Sequence, residues 1–479
     1  MNFYRFIIPR LNGDEIGKNF DYYLNLVEKG IAGFIIFGGR LETVRHGIRE
    51  LQRAAERPLI ITSDLERGLG QQLKGGTLFP PAMAIASAIK SYQLSAISHQ
   101  QIILLRKTFK AIALEARYAG INTIFAPVLD INTNPKNPII STRAFGEDAE
   151  TVSFFGCEMI KILQKNGITA CGKHFPGHGD TEIDSHISLP MINKELRSLE
   201  KTELVPFRNA IEAGVKMIML GHLKVPALDG SGIPISLSEK AISYLRKKMK
   251  FKGVIITDAL NMGGIGRYSE EEASYIALKA GVDLLLHPTD TEKVVSYLGK
   301  KLSAISFQRL ENKLFRKRIK TFVTPDFEKH RRVSEELTKR AIKIDGQIEQ
   351  IEEPLLVILN DDADIKDSTL IVELRRRRHA KHLRFKTGDE ILLRNISGRQ
   401  IIVAIFSGIK AWKGGASSWL LKSLKKLEGK ADVFISFGSP YILPSPNPLP
   451  QGEGARGRAT KIYAYWDSDA AQKAVAEIL

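Results

Sequence analysis

Residues 173–190 read KHFPGHGDTEIDSHISLP, and no other stretch of the chain is as rich in groups that can do chemistry. It holds a lysine, three histidines (His174, His178, His186), two aspartates (Asp180, Asp184) and a glutamate. Such groups move protons, hold hydroxyls and stabilise charge. Asp184 and His186 are two apart, which lets the side chains meet through a turn. The aspartate would then set the imidazole tautomer and stabilise imidazolium, and an imidazole gives and takes protons near neutrality. The plainer alternative is a loop histidine salt-bridged for stability. Lys173 and His174 are neighbours, so both reach one site only where a strand ends or bulges. Otherwise the lysine snorkels and the histidine is a satisfied core residue. His178, between Gly177 and Gly179, shapes the loop. Asp258 ends a second apolar run, GVIITD, where a partly desolvated carboxylate could act as a nucleophile. It could also cap a following helix, a task open to Thr257 and Asn261 too. The histidines and aspartates could ligate a metal, but no two histidines have i, i+4 spacing in an HExxH setting, and no metal is expected.

These groups need elements to carry them. Apolar runs at 33–38, 58–64, 123–131, 168–175, 216–223, 234–238, 254–260 and 282–289 read as strands, with FIIPRL near the N-terminus the least of the candidates. Stretches with helical apolar spacing, such as 203–214 and 239–250, lie between them. That alternation predicts an α/β protein with a (β/α)8 TIM-type barrel, or failing that an open doubly wound sheet. Barrels of this kind keep their chemistry at the carboxyl ends of the strands, where the 173–190 loop begins. A charged amphipathic helix is expected at 307–320 and a linker at 322–345, so the barrel occupies 1–321. A second α/β pattern fills 346–479, with strands at 353–360, 368–374, 400–408, 432–438 and 461–466 and a helix at 417–429. A Pro/Gly/Arg-rich insertion around 443–458 interrupts it and reads as a disordered loop.

Composition sets limits. At 479 residues the chain exceeds one ordinary domain. No stretch of about 18 apolar residues appears, so no membrane span is expected. Residues 1–17 lack a signal-peptide pattern, which points to the cytoplasm. Cys157 and Cys171 are too few for a disulfide framework. The formal net charge is +17. It suits an anionic partner or simply a basic solvated surface. Its sharpest cluster, LRRRRHAKHLRFK at 374–386, lacks the interleaved aromatics of a single-strand platform, and no nucleic-acid partner is expected.

The motifs together resemble glycoside hydrolase family 3, in its β-N-acetylglucosaminidase branch. KHFPGHGDT followed by Asp184, Ser185 and His186 carries most of the likeness. GVIITDALNM at 253–262, STRAFGED at 141–148 and Asp64 at the end of PLIITSD agree with it. The resemblance spans roughly residues 1–325 and continues more loosely beyond. It implies a barrel followed by a reduced C-terminal α/β sandwich domain. It also implies Asp258 as nucleophile, His186 as acid/base partnered by Asp184, and Asp64, Arg143, Lys173 and His174 as sugar-binding residues. The activity implied is that of a retaining exo-β-N-acetylglucosaminidase working by double displacement on muropeptides or short glycans in cell-wall recycling. No cofactor or metal is needed, and the protein would be a monomer. One segment departs from the pattern: the branch's two arginines after Asp64 fall on Leu69 and Gln72, which implies weaker binding, a different substituent or a compensating basic group such as Arg67. A β-N-acetylglucosaminide phosphorylase and a non-catalytic sugar-binding paralogue are the rival readings.

Overall fold

The computed structural model describes residues 2–90, 93–302, 323–361, 368–393, 396, 400–408, 413, 415–443 and 459–479. The helix read at 307–320 and the low-complexity stretch after Leu443 lie outside the described residues.

Nine short strands form the first sheet: β1 (Ile7–Ile8), β2 (Arg10–Asn12), β3 (Gly33–Phe37), β4 (Ile60–Ser63), β5 (Thr123–Ile124), β6 (Thr169–Phe175), β7 (Met217–Leu220), β8 (Val254–Ala259) and β9 (Leu284–Leu286). All pair in parallel, in the order β1-β9-β8-β7-β6-β5-β4-β3-β2. Only Pro9 separates β1 from β2. Ile7 and Ile8 pair with Leu285 and Leu286, whereas Arg10 to Asn12 pair with Ile35 to Phe37. Pro9 has no N–H to give, but its carbonyl accepts from Ile35 at 3.0 Å. One segment thus closes the ring, and with β1 and β2 counted together the strands are the eight of a (β/α)8 barrel.

The least of the candidate strands is therefore the one that closes the barrel. PISLS, read as a strand, is instead a 3₁₀ turn at Ile235–Leu237. Pro234 precedes it, and Ser238 is recruited to cap the next helix, accepting from Ala241 N–H at 3.1 Å. Other returns are capped in the same way. Asp148 caps the helix Ala149–Lys165, and Ser269 with Glu272 forms a capping box on Glu270–Ala280, which ends at left-handed Gly281.

The second sheet runs β10 (Lys343–Asp345), β11 (Leu355–Asn360), β12 (Lys381–Lys386), β13 (Ile401–Ser407), β14 (Val433–Gly438) and β15 (Thr460–Tyr463), in the order β10-β15-β14-β13-β11-β12. Every pair is parallel except β10 with β15. Alternation sorts its side chains. Leu356, Ile358, Ile402 and Ile435 pack with the helices Thr369–Arg378 and Asp469–Ile478, and Val357, Leu359, Val403 and Phe434 with Ser418–Leu427. This is a three-layer α/β sandwich. One reading is corrected here. Residues 368–374 begin a helix, because Leu370, Ile371 and Leu374 bury one helical face. The basic cluster divides between two elements: Arg375 to Arg378 end that helix, where cations suit the dipole, and KHLRFK is edge strand β12.

The compact units do not follow the sequence order. One comprises Met1–Phe79, His99–Ile140 and Ala144–Val333; the other comprises Pro80–Ser98, Ser141–Arg143 and Ser334–Leu479. The helix Phe327–Ala341 occupies much of the segment read as a linker.

Candidate active site

Each strand of the barrel from β4 onward delivers ionisable groups at its carboxyl end. At β6, the Lys173–His174 peptide is cis and the register against β7 shifts between Gly172 and Phe175. Lys173 Nζ lies 2.7 Å from Asp64 Oδ1 and 2.7 Å from Glu66 Oε1, and the lysine side chain is 2% exposed. A buried ammonium between two carboxylates is held, not snorkelling. Asp64 keeps 27% of its side chain open to the barrel mouth.

Next to it, Asp130 is fully buried and binds three donors. It accepts the His174 N–H at 3.0 Å, the His178 N–H at 2.8 Å and His174 Nδ1 at 2.7 Å. Burial works to raise the Asp130 pKa, but the His174 charge and these hydrogen bonds outweigh it, and the carboxyl sits below its ordinary range. An ionised Asp130 requires the proton on His174 Nδ1, leaving Nε2 as the free face of that ring. His178 turns inward. Its Nδ1 meets Thr181 Oγ1 at 2.8 Å, its carbonyl accepts from Asn137 Nδ2 at 2.8 Å, and burial drives its pKa down to about 4.

Asp258, in β8, accepts the Ala259 N–H at 2.8 Å and caps no helix; a turn follows it. Burial pushes its pKa up, but His174, His222 and His186 around it, with that N–H, bring it below the ordinary carboxylate value. It is therefore held as an anion. His222, after β7, is kept neutral by burial. Its Nε2 donates to the Ala259 carbonyl at 2.9 Å and its Nδ1 pairs with Ser236 Oγ at 2.7 Å.

The loop after β6 brings in the last pair. His186 Nδ1 is 2.8 Å from Asp184 Oδ1, and the same oxygen accepts the His186 N–H at 2.9 Å. Asp184 is buried and His186 is 22% exposed. The turn needed by the i, i+2 spacing is thus present. Two backbone hydrogen bonds join this turn to the one after Asp258: Gly263 N–H to the His186 carbonyl at 3.0 Å and Gly264 N–H to the Ser185 carbonyl at 2.8 Å. Side chains do not fit there, since a Cβ on Gly263 would lie 2.4 Å from the Ile187 carbonyl oxygen.

Asp64, Lys173, His174, Asp184, His186 and Asp258 therefore belong to one barrel unit, with the last four coupled through hydrogen bonds or charge. Arg143 is carried by the other unit, in the turn Ser141–Arg143, where Ser141 Oγ meets Ser439 Oγ at 3.0 Å. Arg67 Nε donates to the Phe79 carbonyl at 3.1 Å, which ties that cation to the turn after Asp64. Sequence reasoning missed Glu66, Asp130, His222 and His287. His287 follows β9 with φ 48°, and burial, then Arg10, hold its pKa near 4 against the pull of Asp64. Among the described residues no three His, Cys, Asp or Glu side chains are grouped to hold a metal ion.

A parallel barrel whose strand ends gather carboxylates and imidazoles is built for carboxylate and imidazole chemistry on a polar ligand. The chain belongs to glycosyl hydrolase family 3: residues 20–321 match that family's N terminal domain. It is 32% identical over 309 residues to Beta-hexosaminidase A of Pseudoalteromonas piscicida, covering 58% of this chain and 50% of that one. It is 31% identical over 310 residues to the Beta-hexosaminidase of Chromobacterium violaceum, covering 62% and 85%. A solved glycoside hydrolase family 3 beta-N-acetylglucosaminidase from Paenibacillus sp. str. FPU-7 is 25% identical, with a TM-score of 0.80 over 99% of this chain and 95% of that one. The chain thus spans about half the length of the first of these relatives.

Proposed function

We propose that the protein is a retaining exo-β-N-acetylglucosaminidase. The observation that carries the reading is the Asp184–His186 pair joined by backbone hydrogen bonds to the turn that follows ionised Asp258. In the first step an Asp258 oxygen bonds to the anomeric carbon while His186 Nε2 gives its proton to the leaving glycosidic oxygen. Asp184, on Nδ1, stabilises the imidazolium that must exist beforehand. In the second step water attacks the glycosyl-enzyme, its proton returns to His186 Nε2, and Asp258 leaves as a carboxylate. Asp64, Lys173 and His174 Nε2 hold sugar hydroxyls. The acetamido sugar is supported by the printed names of the relatives, and muropeptide fragments follow from the branch the motifs resemble. The cytoplasm is proposed as its location, with the two free cysteines as support.

The test is release of aryl aglycone from a β-N-acetylglucosaminide by the wild-type protein and by Asp258→Asn. Turnover is expected from the first and a loss of at least about 1,000-fold in the second, with the fold intact. Equal turnover in both overturns the mechanism. Sugar 1-phosphate formed in phosphate buffer would replace hydrolysis with phosphorolysis on the same residues.

A further inference from the structure

The loop that carries Asp184 and His186 is closed at its base by an ion cluster that no catalytic step uses. Lys194, just beyond the loop, sits with Nζ 2.6 Å from Glu203 Oε1 and 3.2 Å from Asp180 Oδ2. Asp180 is at the front of the loop, four residues before Asp184, and its other oxygen meets Thr133 Oγ1 at 3.3 Å. Glu203 stands at the start of the helix Leu204–Glu212, is buried, and also accepts from the Thr202 hydroxyl. Its side chain covers Gly177, where a Cβ would come within 3.0 Å of Glu203 Cβ and where φ is 129°. The three charges therefore tie the start of the loop, its end and the barrel's surrounding helix to one point. Burial alone would weaken the Lys194 ammonium, but Glu203 and Asp180 more than offset it and raise its pKa.

The loop has other attachments. Asn134 Nδ2 meets the Asp180 carbonyl at 3.3 Å and Glu182 Oε1 at 3.4 Å, Asn137 Nδ2 meets Thr181 Oγ1 at 3.3 Å, and Lys136 Nζ lies 3.6 Å from Glu182 Oε1. Backbone bonds add Lys224 N–H to the Pro190 carbonyl at 2.8 Å, Ile192 N–H to the Lys224 carbonyl at 2.9 Å, and the two glycine bonds at the tip. Backbone bonds at the tip limit where His186 can go, but they leave the loop's hinge to the base. We propose that Asp180, Lys194 and Glu203 are positioning residues for the proton donor, a clamp that sets how far His186 stands from the leaving oxygen. The proposal rests on the reading of His186 as the acid. Misplacing a general acid by a fraction of an ångström slows proton transfer to a poor leaving group and leaves an activated one almost untouched.

Asp180→Asn removes the front link while keeping a hydrogen-bonding side chain in a partly exposed place. Lys194→Met with Glu203→Gln removes the rear link without leaving a lone buried charge. Turnover is compared on a GlcNAc disaccharide and on a dinitrophenyl GlcNAc glycoside, with His186→Ala alongside. Both clamp variants are expected to lose about 5-fold to 20-fold in kcat on the disaccharide, less than about 2-fold on the aryl glycoside, and little in KM on either. Equal losses on the two substrates, or none, in folded variants overturn the clamp while a leaving-group-dependent loss in His186→Ala leaves the acid in place. A His186→Ala variant that loses equally on both substrates overturns both.

Discussion

His287 and His178 offer a pH test of the site that does not depend on turnover. Each is held neutral in the folded barrel, with a pKa near 4 against an ordinary 6.5, chiefly by burial. In the unfolded chain each takes up a proton as pH falls through about 6.5. Between about pH 6.5 and 4 the unfolded state therefore binds protons that the native state refuses, and stability falls with pH. Below about 4 that contribution is flat. His287→Gln should remove about one proton from the slope, or about 1.4 kcal/mol per pH unit near pH 5. Urea titrations at pH 7, 6 and 5 measure it; an unchanged slope would show that His287 is already protonated in the fold. The same residues show what the sequence concealed. Asp64, Asp130, His222, Asp258 and His287 each stand at or just after the end of an apolar run, so a scan for ionisable residues in that place finds the missed ones too. Glu66 has no such mark, because its role comes from Lys173, 107 positions further on, which folding brings to 2.7 Å. Arg10 and Phe37, which flank His287, are equally invisible as neighbours in the sequence.

At the scale of elements, legibility followed how well one pattern excluded another. Runs such as Val254–Ala259 and Ile401–Ser407 are too short and too apolar for surface helices, and both are strands. FIIPRL and PISLS were harder, since a proline sits in each. What decides is whether neighbours offer partners: Leu285, Leu286 and Ile35 to Phe37 flank the first, whereas the second yields Ser238 to a helix cap. STLIVEL fits either period over so few residues. The two readings differ at one residue. A strand would bury Leu370, Val372 and Leu374 together; the helix buries Leu370, Ile371 and Leu374 and leaves Val372 54% exposed. Val372→Lys should therefore change stability by no more than about 0.5 kcal/mol, as surface changes do. Ile371→Lys should cost more than about 3 kcal/mol, since it buries an unpaired charge. Thermal or urea denaturation separates them, and a severe loss in Val372→Lys would restore the strand.

The whole molecule is the scale at which a linear reading is least informative, because the two compact units exchange sequence. Residues 80–98 are written between β4 and β5 of the barrel but belong to the unit built from 334–479. The helix Ala82–Ile89 is apolar almost throughout, with Met83, Ile85 and Ile89 buried. Its polar contacts also lie in that unit: Ser87 Oγ to the Ala341 carbonyl at 3.0 Å, Tyr465 hydroxyl to Ser87 Oγ at 3.4 Å, and Tyr441 hydroxyl to Met83 Sδ at 3.9 Å. Nothing in the periodicity of AMAIASAI tells which partner covers it. A chain cut after residue 321 would keep every strand of the barrel and still lose these contacts. Uncovering three large apolar side chains costs roughly 5–9 kcal/mol at most, at about 1.5–3 kcal/mol each. That is comparable to the whole stability of an ordinary domain. The 1–321 fragment is therefore expected to be aggregation-prone or to melt far below the full chain, and to regain stability when Met83, Ile85 and Ile89 are replaced by polar residues. Full-chain melting and monodispersity in the unaltered fragment, measured by scanning calorimetry and size-exclusion light scattering, would show that the helix is covered by the barrel itself and that the second unit is an independent addition.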